Sequence, residues 1–179
     1  MSELLDFLHK NRENRGVLAA LRQGLVLATE MRAWPWLARY GGIGSTPRAR
    51  AVRTVAGLFA HHPEACATGS MGTTCRALCS PDEKPWESVD ATGKATAPGP
   101  MARRFGYLLA ADATEICERV ARMVLYAKSK GVPVNYAQLE KDLAQWPHGG
   151  VRERWAGDFW AAQKSDDTSG EAGAREEEQ

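Results

Sequence analysis

Between residues 112 and 131 the apolar side chains Ile116, Val120, Met123, Val124 and Ala127 recur at spacings of four, three, one and three. That period puts all five on one side of an α-helix and is incompatible with a strand, whose faces alternate every second residue. Asp112 stands where a helix is capped, with Glu115 at the capping-box position, and the spacing predicts that both halves of the box form. Gly131 and Pro133 end the segment, because glycine accepts the left-handed cap and proline has no N–H to continue the ladder. On the outer face Glu115 precedes Arg119, and Glu118 precedes Arg122, by four residues, the favourable order for helical ion pairs. One face packs and the other is charged.

The same reasoning organises the rest of the chain. Asn135 with Gln138 reads as a second capping box, before a helix burying Tyr136, Leu139, Leu143 and Trp146. Pro147, Gly149 and Gly150 interrupt it, and Val151, Trp155 and Phe159 restart the stripe at a spacing of four. Pro100 opens a short helix with Phe105, Leu108 and Leu109 inward. Upstream, helices are expected over 2–13, over 16–22 with Gly24 as its left-handed closure, from Trp34 to Tyr40, and after Thr46 as cap with Pro47 in the first position. The last of these directs Val52, Val55, Leu58 and Phe59 inward. A short helix over 73–79 would bury Cys75, Leu78 and Cys79, whereas 25–33 reads equally as helix or turn. No stretch alternates, so no strand is expected. The fold class is all-α, a compact bundle of about seven to nine helices in two packed lobes. The lobes cover 1–79 and 101–163, joined by a Pro/Gly-rich loop over 80–100 and followed by a disordered acidic tail over 164–179.

The net charge of +1 conceals an asymmetry. Residues 166–179 hold six acidic side chains against Arg175 alone, so the body before them carries an excess of six basic charges. A basic body suits a polyanionic partner. No apolar run reaches the roughly 18 residues of a membrane helix, and Met1-Ser2-Glu3 lacks the start of a secretory leader. The expected location is therefore the cytoplasm, where the four cysteines stay reduced.

Catalysis finds no support. There is no phosphate-binding glycine loop and no nucleophile elbow, and the carboxylates sit beside arginines on helix surfaces. His61, His62, Cys66, Cys75 and Cys79 are soft ligands, but their spacing is not that of a zinc site, and two of the thiols lie on an apolar face. Neither metal nor cofactor is expected. The tryptophans lie on packing stripes, except Trp86 in the loop.

The arginines are placed unusually. The first turn of a helix carries partial positive charge and disfavours cations. Yet Arg48 and Arg50 follow Pro47, Arg103 and Arg104 follow Pro100, and Arg152 and Arg154 follow Gly150. Guanidinium groups beside helix N-termini are explained by bound phosphate. Each instance alone amounts to an exposed arginine costing tenths of a kcal/mol; the three together point to backbone contact with nucleic acid.

An ordered set of segments also resembles a known family. They are Gly16-Val-Leu-Ala-Ala-Leu-Arg22, Ala33-Trp-Pro with Leu-Ala-Arg-Tyr-Gly41, Ala56-Gly-Leu-Phe-Ala60, Arg103-Arg104-Phe105 with Leu109-Ala-Ala-Asp112, Ser129-Lys-Gly-Val-Pro-Val-Asn-Tyr-Ala-Gln-Leu139, and Arg154-Trp-Ala-Gly-Asp-Phe-Trp160. From about residue 14 to 162 the chain is similar to the CasB family, the small subunit of the type I-E CRISPR surveillance complex, Cascade. The resemblance implies a non-catalytic, all-helical subunit that sits as a pair with a second copy of itself, against the backbone and large subunits. It implies contact with the CRISPR RNA–target DNA hybrid and with displaced single-stranded DNA, stabilising the R-loop in antiviral defence. Family basic residues carry over onto Arg22, Arg48, Arg104 and Arg122; near Gly149 and Gly150, where some relatives are basic, this chain offers Arg152. The full set of candidate contacts is Arg22, Arg48, Arg50, Arg53, Arg103, Arg104, Arg119, Arg122 and Arg152.

Two other functions fit the same residues. Segments 135–146, 147–150 and 151–160 have the order of a helix-turn-helix regulator, with Arg152 and Arg154 toward a major groove. A protein–protein adaptor with merely solvated arginines is the other.

Overall fold

The computed structural model describes residues 2–83, 88–89, 92 and 95–161. The acidic tail over 164–179 and Trp86 lie outside the described residues. Nine α-helices appear among those described: α1 (Glu3–Lys10), α2 (Arg15–Gln23), α3 (Trp34–Leu37), α4 (Pro47–His61), α5 (Met71–Ala77), α6 (Pro100–Leu109), α7 (Ile116–Lys130), α8 (Tyr136–Gln145) and α9 (Val151–Trp160). The ambiguous 25–33 segment resolves into turns and a 3-10 helix over Glu30–Arg32. None of the described helices is long and apolar enough to cross a membrane.

The α4 helix is the axis of the fold. Thr46 Oγ1 accepts from Ala49 N at 3.1 Å, and Pro47 occupies the first turn, as their order predicts. The helix is buried far beyond the expected stripe, with every residue from Ala51 to Ala60 inaccessible. Small side chains make this possible: Ala51, Ala56, Gly57 and Ala60 let α1, α2, α7 and α8 approach from several sides. At Gly57 an added Cβ would stand 2.5 Å from Leu25 and 3.1 Å from the Leu21 carbonyl, which fixes how closely α2 crosses. One continuous apolar core runs from Leu4 through Phe59 and Phe105 to Phe159.

The α5 and α9 helices meet at a second close crossing. A Cβ on Gly72 would lie 2.0 Å from the Trp155 carbonyl oxygen, so only glycine fits. Ser70 caps α5 in a reciprocal box with Thr73, and its hydroxyl also donates to Asp158 Oδ2 on α9 at 2.6 Å.

Several local expectations are corrected. Asp112 caps only the turn that leads into α7, accepting from Thr114 N and Glu115 N at 2.7 and 2.9 Å. The helix itself starts at Ile116 after Glu115, which makes no side-chain cap and turns its carboxylate to Arg119 instead of closing the box. Likewise Asn135 accepts from Gln138 N, while the Gln138 side chain donates forward to Asp142. In both boxes the acidic or amide partner found a stronger acceptor or donor one turn onward. Gly24 ends α2 with φ of −64°, an ordinary right-handed conformation, not the left-handed one expected. A minimal antiparallel pair, Ser88–Val89 with Ala95–Thr96, interrupts the loop where no strand was expected. Two residues a side leave no alternation to detect.

Candidate nucleic-acid interface

The α6 and α7 helices enclose a groove of about 500 Å³ lined by Arg103, Arg104, Tyr107, Arg119, Arg122 and Tyr126, with Leu108 and Met123 at its floor. Its geometry follows from two amphipathic helices. Phe105 and Leu108 turn the α6 stripe into the core, leaving 103, 104 and 107 outside; Val120, Met123 and Val124 do the same for α7, leaving 119, 122 and 126. Four of the nine candidate arginines are thereby brought together.

Their environments differ. Arg103 and Arg104 are exposed, and neither has a carboxylate partner among the described residues. The Arg104 guanidinium stands 5.0 Å from the centre of the Tyr126 ring, and Lys130 Nζ lies 5.8 Å from the same ring. Arg122 pairs with Glu118 on the open surface, a contact worth only about 0.2–1 kcal/mol. Arg119 is committed internally: it bonds Glu115 at 2.6 Å, donates to the Tyr107 carbonyl and lies 3.7 Å over the Tyr107 ring. Both predicted i,i+4 pairs form.

The N-terminus of α6 is not an open anion site. The Glu83 carboxylate reaches in from the preceding loop and accepts from Met101 N and, at 3.2 Å, Ala102 N. An internal carboxylate thus takes the place expected for phosphate, and the arginines of that first turn face the groove instead. Sequence reasoning could not find Glu83, because a cap 18 residues before the N–H it accepts from has no local spacing.

The remaining candidates are dispersed. Arg53 is buried, ion-paired to Glu30 at 3.2 Å and donating to the carbonyls of Gly42 and Gly44 at 2.8 and 2.7 Å. It fastens the 3-10 segment and the glycine loop onto α4 and has no surface to offer. Arg152 donates to the Ala111 carbonyl at 2.7 Å and lies 5.1 Å from the Trp146 ring, bracing α9 against the end of α6. Arg22 is exposed and donates to the Ala60 carbonyl at 2.9 Å. It belongs to a second basic cluster: burial first, then Arg22 and Lys128, hold the His61 pKa below its usual value. Arg48 lines a shallow polar hollow with Arg39, Ser2 and Glu140. Arg50 is half-buried on α4.

The helix-turn-helix geometry fails on the same side chains. Trp155 and Phe159 are wholly buried, Arg154 is paired to Asp142, and Arg152 is bound to Ala111, so both arginines expected in a major groove are engaged within the fold. Among the described residues no group of three His, Cys, Asp or Glu side chains is assembled to hold a metal. His62 bonds the Val132 carbonyl at 2.8 Å, and burial pushes the Cys75 thiol up and the Cys79 thiol up to about 11.

Sequence reasoning passed over Tyr107, Tyr126 and Lys130. Their spacing was the available clue: Tyr107 follows Arg103, Tyr126 follows Arg122 and Lys130 follows Tyr126, each by one helical turn.

No curated protein matches the sequence. Solved structures do resemble the fold. CasB from Thermus thermophilus is 23% identical with a TM-score of 0.66, over 90% of this chain and 99% of that one. A chain of a CRISPR RNA-guided surveillance complex in a pre-nicking state is 19% identical with a TM-score of 0.70, over 93% and 94%. CasB from M. ruber is 19% identical with a TM-score of 0.65, over 93% and 97%. The family model of the CRISPR-associated protein Cse2 matches residues 17–160, which takes in both helices of the groove and the axis beneath them; the chain belongs to the Cse2 family, the CasB family that its ordered segments resemble.

Proposed function

We propose that this chain is the small subunit of a type I-E Cascade surveillance complex and contributes a non-catalytic nucleic-acid contact through the α6–α7 groove. The supporting observation is the convergence of Arg103, Arg104 and Arg122 on one groove, with two tyrosines between them. Its partners are the backbone and large subunits, a second copy of itself, the CRISPR RNA–target DNA hybrid and the displaced DNA strand. Guide pairing supplies sequence specificity, so the subunit has no need of base-edge contacts, only of a rigid cationic surface for backbone. Arg22 with Lys128, and Arg48 with Arg39, are secondary contacts in this reading.

The test is charge reversal at Arg103, Arg104 and Arg122 together, in a complex reconstituted with the other subunits and CRISPR RNA. Assembly should be preserved, since all three side chains are exposed. Target-DNA affinity should fall, and its dependence on log salt should flatten by roughly 0.7–0.9 for each phosphate the variant no longer neutralises. An intact complex with unchanged DNA affinity would assign the subunit to protein–protein adaptation alone.

A further inference from the structure

Among the uncharged side chains lining the groove, Tyr107 stands out by its exposure. It is 57% exposed, an unusual position for a large aromatic side chain. One face of its ring is covered by the Arg119 guanidinium at 3.7 Å from the centroid. Arg119 is itself held by the Glu115 carboxylate and by the carbonyl of Tyr107, and its side chain is only 12% exposed. The ring is thus backed by a fixed cation on one side and meets solvent on the other. Tyr126 differs: it is half-buried, and Arg104 and Lys130 both stand over it.

We propose that Tyr107, backed by Arg119, is a stacking platform for an unpaired nucleobase, so that the groove takes single-stranded nucleic acid by one base as well as by its phosphates. This rests on the reading of the groove as a nucleic-acid contact and adds to it the preference for a single strand. An aromatic face bonds any base without reading its edge, so the contact is indifferent to sequence. Because the ring is held before binding, little conformational freedom is lost when a base arrives. A cavity of about 500 Å³ falls within the usual range for a site taking one small ligand, and suits one nucleotide. Arg103, Arg104 and Arg122 around it are placed to meet the flanking phosphates. In a duplex the bases are already stacked on one another, and the platform has nothing to receive.

Two strands of equal length separate the base from the backbone: oligothymidylate, and an abasic oligonucleotide with the same phosphates. Both are titrated against the full chain at low salt by fluorescence anisotropy. Base–aromatic stacking at one position corresponds to roughly 5- to 150-fold in affinity, and the unaltered chain should prefer oligothymidylate by a factor in that range. Tyr107→Ala should lose the preference by weakening oligothymidylate alone, while Tyr107→Phe, which keeps the ring, should retain it. A preference that survives Tyr107→Ala, or that Tyr107→Phe abolishes, overturns the platform. Equal binding of both strands by the unaltered chain also overturns it and leaves the cationic groove standing. Binding of neither strand removes the groove's nucleic-acid role, leaving that face to a protein contact, and the platform falls with it.

Discussion

Asp142 is a buried polar side chain whose loss should be felt strongly. It is 1% exposed on α8 and accepts three hydrogen bonds. Oδ1 takes Gln138 Nε2 at 2.7 Å and Arg154; Oδ2 takes the Trp155 indole N–H at 2.6 Å. Asp142→Ala strands the indole N–H of a fully buried tryptophan, which costs about 1–3 kcal/mol. Removing one partner of a buried ion pair costs about 3–5 kcal/mol, but Arg154 is 39% exposed and can turn to water, so only a fraction of that applies. Gln138, half-buried, can also find solvent. The expected loss is therefore about 2–4 kcal/mol. At this chain length each kcal/mol lowers Tm by about 2–4 °C, so the fall should be roughly 4–16 °C. Urea unfolding followed by circular dichroism gives the free energy directly, with an unchanged slope expected if only stability has moved. Asp142→Asn, which keeps one acceptor for the indole but turns a donor toward Arg154, should fall between. A loss below about 1 kcal/mol for Asp142→Ala would refute the view that this carboxylate holds α8 to α9.

Gly72→Ala puts a methyl group 2.0 Å from the Trp155 carbonyl oxygen, against backbone that cannot rotate away. Overpacking of this kind should cost at least about 1–3 kcal/mol, and a variant as stable as the parent in the same urea titration would disprove the close α5–α9 crossing. His61 titrates below its ordinary value of 6.5 because of burial, Arg22 and Lys128. A depressed pKa means that the unfolded chain binds the proton more readily, so this group's contribution to stability is present above pH 6.5 and fades as pH falls below it. If a polyanion neutralises Arg22 and Lys128, the His61 pKa should rise on adding a DNA strand in an NMR titration. A value that stays put or falls would remove Arg22 from the binding surface.

Legibility from sequence varied with the range of the interaction responsible. The α7 stripe, both of its ion pairs and the Thr46–Pro47 start of α4 depend on residues within one turn, and local spacing gives them directly. The burial of Arg53 depends on Glu30 and on two glycine carbonyls 9 and 11 residues away along the chain, in segments whose course had no periodicity to follow. From its position on α4 alone, Arg53 resembles Arg50. The bond of Arg152 to the Ala111 carbonyl has no local signature for the same reason, since that acceptor lies 41 residues back. The groove was legible in part: Arg103, Arg104, Arg119 and Arg122 were selected from two separate helices, but nothing local indicates that α6 and α7 enclose one cavity.

The groove is also held in shape from behind, by the same contacts that stabilise the fold. Phe105, directly after the two groove arginines, stacks on Phe159 of α9 with centroids 4.2 Å apart and planes at 22°. The α9 helix is fixed in turn by the Trp155–Asp142 bond and by the contact of Trp146 with Trp155 at 4.9 Å. At its other end α6 is capped by Glu83 rather than by an exogenous anion, so its register does not depend on ligand. The arginines therefore extend from a helix fixed at its N-terminus by a carboxylate and along its inner face by aromatic rings. Fixed placement matters for a contact that reads backbone, since each guanidinium ordered before binding leaves less freedom to be lost on binding. An arginine on a loop would carry the same charge without that advantage, which is the physical reason to seek the interface on α6 and α7 before the more dispersed basic residues at Arg22 and Arg48.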